Sequence, residues 1–190
     1  MRWIPVLFFG MLCDSAQVAE ASMVGLSLNG SDAAQECQEL VLGASQPATL
    51  HIVALLQDDA ATLGITGAEL RVDGWPAGWF GTVVPNPAAS VTTGNPLAGC
   101  ATIGFANCLS TTPVLLYTVS FLSSGGNAAL QVRGCDPGSE PTGCPQLVLC
   151  GAPTPVRLCV AGGRMGINRP EFCAVSVETT AWSRVRALYR

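Results

Sequence analysis

The stretch ITGAELRVD at residues 65–73 decides the fold class of this chain. Its apolar side chains recur at every second position, at Ala68, Leu70 and Val72, and charged side chains fill the positions between them. Successive side chains of a β-strand point to opposite faces, so this alternation predicts a strand with one dry and one wet face.

The same alternation recurs along the chain in short windows separated by Gly, Pro, Asn and Asp. The predicted strands cover residues 24–28, 48–57, 65–73, 101–105, 115–121, 130–132, 147–150, 156–160 and 173–177. In the window 115–121 the predicted inward set is Leu115, Tyr117, Val119 and Phe121. Short strands with turn signals about every ten residues predict an all-β, two-sheet antiparallel sandwich. No helical pattern lies between the strands, which disfavours a parallel sheet built from βαβ units.

The first residues have the order of an export signal. A cationic start is followed by an apolar run over residues 3–12, and small side chains flank the predicted cleavage point after Ala21. A lipoprotein with a modified Cys13 is the alternative, but Leu12 stands where its processing enzyme needs a small residue. We therefore predict a signal peptide at 1–21 and one domain at 22–177, secreted or at the cell surface, with no membrane span in the mature chain.

The last residues change to a helical period. Thr179-Thr180 can cap a helix, and an apolar stripe follows at three- and four-residue spacing. The stripe consists of Trp182, Val185, Leu188 and Tyr189. The sequence predicts a short amphipathic helix at 178–190, which serves either as a cap on the sandwich or as a recognition tag.

The cysteines predict disulfide crosslinks. Eight remain once Cys13 leaves with the signal peptide: Cys37, Cys100, Cys108, Cys135, Cys144, Cys150, Cys159 and Cys173. An even set behind an export signal is typical of up to four disulfides. The short-range candidates are Cys100 with Cys108 and Cys135 with Cys144, and the other four would tie the first strand and the C-terminal segment to the body. Zinc is disfavoured because the chain has no C-x-x-C spacing and only one histidine.

Charge argues against nucleic acid as a partner. The chain carries nine Arg, no Lys and a formal net charge of -4. Binding to nucleic acid depends on clustered cations that neutralise phosphates, which this balance does not favour.

No catalytic residue is predicted. The single histidine, His51, lies inside a predicted strand between apolar neighbours, where an exposed or sheet-packed role is favoured over that of a catalytic base. The pair Asp58-Asp59 could join Asp32, Asp73 or Asp136 around calcium, but no EF-hand spacing occurs and a solvated strand end is favoured. Neither a metal nor a cofactor is therefore predicted.

The densest aromatic cluster lies just after the stretch at residues 65–73. Trp75, Trp79 and Phe80 could form a platform for a sugar ring or a contact for a protein partner. Alternatively, these rings fold down and plug one end of the sandwich.

Several short segments carry a resemblance to known proteins. GITGAE at 64–69, PAGW at 76–79, PNP at 85–87, GNP at 94–96 and LYTV at 116–119 resemble a group of uncharacterised secreted bacterial proteins, as does the closing WSRVRALYR at 182–190. More distantly, the Gly-Ile-x-Gly turn before an alternating strand resembles cohesin-like and immunoglobulin-like sandwiches. Val72-Asp73-Gly74 stands where cohesins often carry a Tyr-Asp pair. The resemblance implies an adhesion or scaffold module.

Together these features predict a secreted, non-enzymatic binding or adhesion module for an extracellular glycan or protein. Its loops at 75–87 and 135–145 are the expected contact regions, because binding residues concentrate on loops held by a rigid scaffold. A self-associating structural component of the cell surface is one alternative. A hydrolase with an unrecognised site is the other.

Overall fold

The computed structural model of the chain describes residues 22–28, 30, 34–135, 143–151 and 155–173. The predicted signal peptide and C-terminal helix lie outside the described residues, as do Asp32 and Asp136. Of the strand predicted at 173–177, only Cys173 is described.

The described residues form thirteen strands and one short helix. In chain order they are β1 (Met23–Ser27), β2 (Cys37–Leu40), β3 (Pro47–Leu55), α1 (Asp58–Leu63), β4 (Ile65–Asp73), β5 (Phe80–Pro85), β6 (Ala89–Gly94), β7 (Ala101–Leu109), β8 (Val114–Leu122), β9 (Ala128–Arg133), β10 (Gln146–Leu149), β11 (Val156–Cys159), β12 (Ala161–Gly162) and β13 (Arg164–Ile167).

These strands form two sheets, which confirms the predicted sandwich. Sheet 1 has the order β12-β1-β3-β8-β5. Sheet 2 has the order β11-β10-β4-β9-β13-β2, and β7 pairs with β4 and in turn with β6. Most pairs are antiparallel, whereas β1 with β12 and β2 with β13 are parallel.

The core lies between the two sheets. The stretch at 65–73 is strand β4 with the predicted bounds, and its inward residues Ala68, Leu70 and Val72 are at most 3% exposed. Sheet 1 contributes Leu50 and Ile52 of β3 from the opposite side, both fully buried. Apolar burial of this kind stabilises a domain by about 25 cal/mol per Å² removed from water, so the alternation in β3 and β4 drives the two sheets together.

The predicted inward set of β8 is wrong at one position. Leu115 is half-buried, and Leu116 is fully buried in its place. The cause is a bulge, because β3 residue Ile52 pairs with Tyr117 while the next residue, Val53, pairs with Leu115. The additional residue inverts the alternation on one side of the bulge.

Several elements escaped the strand prediction. Strands β2, β5, β6 and β13 were not predicted, and the loop expected at 75–87 contains β5. Asp58 and Asp59 are exposed in the first turn of the six-residue α1, where a solvated strand end was expected. Strands β2, β5 and β6 lie at sheet edges, where one side of the strand is in water and the apolar alternation is correspondingly weak.

All eight cysteines outside the predicted signal peptide pair with one another. The disulfides are Cys37–Cys173, Cys100–Cys135, Cys108–Cys150 and Cys144–Cys159. The predicted pairs Cys100–Cys108 and Cys135–Cys144 are therefore wrong. Cys100 immediately precedes β7 and Cys108 lies near its far end, and eight residues of strand separate their Cα atoms by about 26 Å. A disulfide needs Cα atoms closer than about 7 Å.

Two of these disulfides cross the central strand β4. β4 has β7 on one side and β10 on the other. Cys108 and Cys150 lie near one end of β4, where the Cys150 amide donates a hydrogen bond to the Gly64 carbonyl (2.9 Å). Cys100 and Cys135 lie near the other end, beside Leu70. The neighbours of β4 are thus tied together across it at both ends.

Loop length predicts unequal stabilisation by the disulfides. Cys37–Cys173 spans 136 residues, whereas Cys144–Cys159 spans 15. The longer loop restricts the unfolded chain more, although the other disulfides shorten the loop that Cys37–Cys173 effectively closes. We therefore expect replacement of the first pair with alanine to lower the free energy of unfolding by about 1.5 kcal/mol more than replacement of the second. Urea unfolding of the two double variants measures this difference. Equal losses would contradict the chain-entropy account.

Tyr117 is a buried phenol that generates a prediction at high pH. Its side chain is 2% exposed, its hydroxyl has no hydrogen-bond partner among the described residues, and burial raises its pKa from 10.0 to about 12. Above pH 10 the unfolded chain releases the hydroxyl proton of Tyr117, while the folded chain retains it. The stability that Tyr117 contributes is therefore lost between pH 10 and about 12.

We expect Tyr117→Phe to match or exceed the parent stability at pH 8, because it removes an unpaired buried hydroxyl. Between pH 8 and pH 11 the variant should lose less stability than the parent, because it has no phenol to ionise. Urea midpoints at the two pH values measure both effects. An identical pH-dependent loss in both proteins would show that Tyr117 does not control it.

Candidate functional site

Trp79 is part of the core. It is 5% exposed and stacks on Phe121 of β8, with ring centroids 5.2 Å apart and an interplanar angle of 12°. Its indole N–H donates a hydrogen bond to the Gly125 carbonyl (3.2 Å). A buried indole with a satisfied N–H is a structural anchor and offers no face to a ligand.

Trp75 completes the same aromatic group. Its half-buried ring lies edge-on to Trp79 at 5.6 Å and to Phe121 at 5.2 Å, and its N–H donates to the Trp79 carbonyl (3.4 Å). Gly81 of β5 leaves room for this ring, since a Cβ there would lie 3.1 Å from Trp75. The two tryptophans and Phe121 therefore plug the space between the sheets at this end.

Phe80 is separated from the plug by the parity of β5. Trp79 precedes the strand and points inward, so the next residue points outward, and Phe80 is 80% exposed. Of the three residues predicted to contact a ligand, Phe80 alone is largely exposed, and a platform of two tryptophans is not present. No signal in the sequence separates them, because the outward residues Phe80, Thr82 and Val84 are no less apolar than Gly81, Val83 and Pro85 of the other face.

The remaining candidate residues do not come together. His51 lies on the outer face of sheet 1, where its pairing partners are Thr118 and Ser27. Among the described residues, the one group of possible metal ligands is Glu69 with Cys100 and Cys135, and the two sulfurs of that group are joined in a disulfide. Within the described parts of the chain, no helix is both long and apolar enough to cross a membrane.

The structure groups together a large surface without charge. Residues 74–132 contain no Asp, Glu, Lys, Arg or His. This segment supplies β5, β6, β7, β8 and nearly all of β9. We call the surface formed by β5 to β8 the charge-free flank. Every formal charge of the chain therefore lies outside it.

Two strand edges meet on the charge-free flank. β5 is the last strand of sheet 1, and β6 pairs with β7 and with no other described strand. The short connection at 86–88 holds β5 and β6 on the same side of the sandwich. The flank also holds four of the seven exposed large apolar residues found in the described chain: Phe80, Val84, Val91 and Leu122, at 80%, 51%, 59% and 44% exposure. Apolar side chains thus concentrate where charge is absent.

Strand register shows how the outer face of sheet 1 is composed. Three cross-strand rows run over β5, β8 and β3: Phe80, Leu122 and Pro47; then Thr82, Ser120 and Thr49; then Val84, Thr118 and His51. The first row is apolar, the second carries only hydroxyls, and the third combines Val84 with the hydroxyl of Thr118 and the imidazole of His51. Such a face can exclude water and accept hydrogen bonds without desolvating a charge.

The outer face of sheet 2 around β4 has the opposite character. Arg71 Nε lies 3.1 Å from Asp73 Oδ1, and Arg133 Nε lies 3.6 Å from Asp73 Oδ2. All three side chains are a third or more exposed, so the pairs contribute little to stability and keep this face hydrated. The molecule thus has one charged face and one uncharged flank.

No protein-family model matches the chain, and no curated protein matches its sequence. The resemblance to a group of secreted bacterial proteins therefore stays a prediction.

Three solved structures illustrate what the chain is similar to. The seventh ScaB type I cohesin of Pseudobacteroides cellulosolvens is 7% identical over 77% of this chain and 92% of the cohesin, with a TM-score of 0.49. A non-cellulosomal cohesin of Archaeoglobus fulgidus is 13% identical over 86% and 96%, with 0.42. AggA, the major subunit of aggregative adherence fimbriae type I of Escherichia coli, is 9% identical over 79% and 96%, with 0.42. These scores lie below 0.5, and the sandwich is assigned from the strand pairing itself.

Adjacent aromatic residues give a matched pair of substitutions. We expect Trp79→Ala to lower the free energy of unfolding by about 3–5 kcal/mol, since it opens a cavity in the plug. Phe80→Ala should change it by less than about 0.5 kcal/mol, because Phe80 has little contact to lose. Urea unfolding monitored by circular dichroism compares the two. Similar losses would refute the inward and outward assignment.

Proposed function

We propose that this chain is a secreted, non-enzymatic module that binds another protein through its charge-free flank. The observation that carries the proposal is the coincidence of exposed apolar side chains with an absence of charge over β5 to β8. Exposed apolar patches on soluble proteins are commonly interaction sites.

The composition of the charge-free flank favours a protein over a glycan. Cores of protein interfaces are depleted of charged residues and enriched in aromatic residues, and Phe80 with the surrounding apolar and hydroxyl rows fits that pattern. A sugar platform would need the exposed face of a large ring, but Trp79 is buried and Trp75 is half-buried against Trp79 and Phe121. The aromatic plug therefore supports the flank from beneath.

The crosslinks favour a role outside the cell. Four disulfides are typical of exported proteins, because reducing compartments keep thiols reduced. The predicted signal peptide agrees with this location. Outside the cell, disulfides that fasten β7, β9 and β10 around β4 would keep the two sheets, and so the flank, in a fixed shape.

Position-specific photo-crosslinking tests the proposed function. A benzophenone amino acid is introduced at Phe80 or at Val91 in the charge-free flank, and at Val156 on β11 as the control. Val91 and Val156 have matched exposures of 59% and 58%, but the control lies outside the flank. The variants are expressed with their own N-terminal segment in the native host, and the adducts are identified by mass spectrometry.

We expect a defined protein adduct from Phe80 and Val91 and none from Val156. Equal yields at the three positions would mean that the charge-free flank is not a preferred surface. The absence of any adduct from Phe80 and Val91 would refute the proposed function.

A further inference from the structure

Strand β5 has one unpaired edge. It pairs in register with β8 from Phe80 opposite Leu122 to Pro85 opposite Tyr117, with no bulge. Within the described part of the chain, no backbone hydrogen bond joins β5 to a strand other than β8. Its second edge is therefore open to another strand.

The direction of the backbone groups on this edge follows from one hydrogen bond. Asn86, just after β5, donates its N–H to the Leu116 carbonyl of β8 (2.9 Å). Alternate residues of a strand direct their N–H and C=O to opposite edges. The backbone N–H and C=O groups of Thr82 and Val84 therefore point toward β8, while those of Gly81 and Val83 point toward the open edge.

Pro85 agrees with this assignment. By the same alternation its nitrogen faces the open edge, where the missing N–H costs no bond to β8. Proline within a sheet is found in this position on edge strands. On the open edge, Gly81 and Val83 each offer one free backbone N–H donor and one free backbone C=O acceptor.

The neighbouring edge of β6 is less suited to pairing. Its register with β7 shifts between Ala89 and Val91, which is a bulge. Bulges at sheet edges discourage the addition of a further strand. Unpaired edges are also protected by charge or by proline. β5 has no bulge and no charged residue, and its one proline is the last residue of the strand, after the donors of Gly81 and Val83.

We propose that the partner of the charge-free flank is a second copy of this chain, paired β5 to β5 in antiparallel orientation. This inference rests on the proposed function, since it names the occupant of the same surface. A two-fold axis normal to the sheet with Thr82 opposite the partner's Thr82 keeps inward residues inward and matches every donor of Gly81 and Val83 with an acceptor. Gly81 then pairs with the partner's Val83, and Val83 with the partner's Gly81. A register centred on Val83 would instead leave the Gly81 carbonyl opposite Pro85, which has no N–H.

That register satisfies the edge with four hydrogen bonds. Each N–H of Gly81 and Val83 donates to a carbonyl of the other copy, and no group facing β8 is disturbed. Phe80 packs beside the partner's Val84 on the outer face, which covers two of the exposed apolar residues in each copy. The two five-stranded sheets become one continuous sheet of ten strands.

Charge supports a second copy as the occupant. Each chain has a net charge of -4, but none of the charged residues lies on β5 or on its neighbour β8. Two copies therefore meet without placing like charges opposite one another. A partner with a strongly charged surface would find no counter-ion on this edge.

The size of the interface sets the expected affinity. A six-residue strand is about 20 Å long, and stable interfaces bury about 800 Å² per partner, more than the edge alone supplies. We expect a dimer that dissociates at roughly tens to hundreds of micromolar.

Single cysteines on β5 test the register. Across a non-hydrogen-bonded antiparallel pair the Cα atoms lie about 4.5 Å apart, within the range that a disulfide accepts. Thr82→Cys places two such residues at the axis. The matched control Val84→Cys lies on the same strand and face, but its two copies are about 14 Å apart because four residues separate them along the strands.

The full chain, expressed with its own N-terminal segment, is examined by sedimentation velocity from 10 µM to 1 mM and by non-reducing electrophoresis after mild oxidation. We expect reversible dimers of the parent and a crosslinked dimer of Thr82→Cys, but none of Val84→Cys. Thr82→Lys should abolish the dimer by opposing two ammonium groups, whereas Val156→Lys on β11, outside the charge-free flank, should retain it.

A strictly monomeric parent, or equal crosslinking of the two cysteine variants, would overturn the β5 pairing. If monomers persist while Phe80 or Val91 photo-crosslinks to a different protein, the second copy is refuted and the proposed function stands. If neither position gives any adduct, both fall.

Discussion

The structure depends on the way strand β4 is held between β7 on one side and β10 on the other. Its alternation places three apolar residues in the core, and disulfides near its two ends connect the strands that flank it. Sheet 1 has no disulfide among its strands and depends on apolar contact with sheet 2. The disulfides thus stabilise sheet 2, and hydrophobic packing holds sheet 1 against it.

The sequence was sufficient for what depends on local pattern and insufficient for what depends on long-range contact. β4 was predicted with its correct bounds because both of its faces show in the alternation. The inward set of β8 failed at Leu115 because a bulge is created by the partner strand. Disulfide pairing failed for a related reason: Cys100 and Cys108 are close in sequence, but an extended strand holds them far apart.

The candidate site was predictable in part. The aromatic residues were recognised, but their separation into the buried Trp79 and the exposed Phe80 required knowing that β5 begins at residue 80. The charge-free flank can be read from residues 74–132 as a gap in charge. That this segment forms a surface could be seen only in the fold, which brings the edges of both sheets to one side of the molecule.

The disulfide between Cys37 and Cys173 has a mechanical consequence. It joins β2 to the last described residue, so a force applied at the two ends of the described chain bypasses every residue between Cys37 and Cys173. The force does act on β1, whose Val24 and Leu26 are fully buried. Only the segment from residue 22 to Cys37 can lengthen under tension, by about 50 Å at full extension. The strands between Cys37 and Cys173 would carry no tension while the bond is intact, so a pull on the described chain would detach β1 and leave those strands enclosed by the bond.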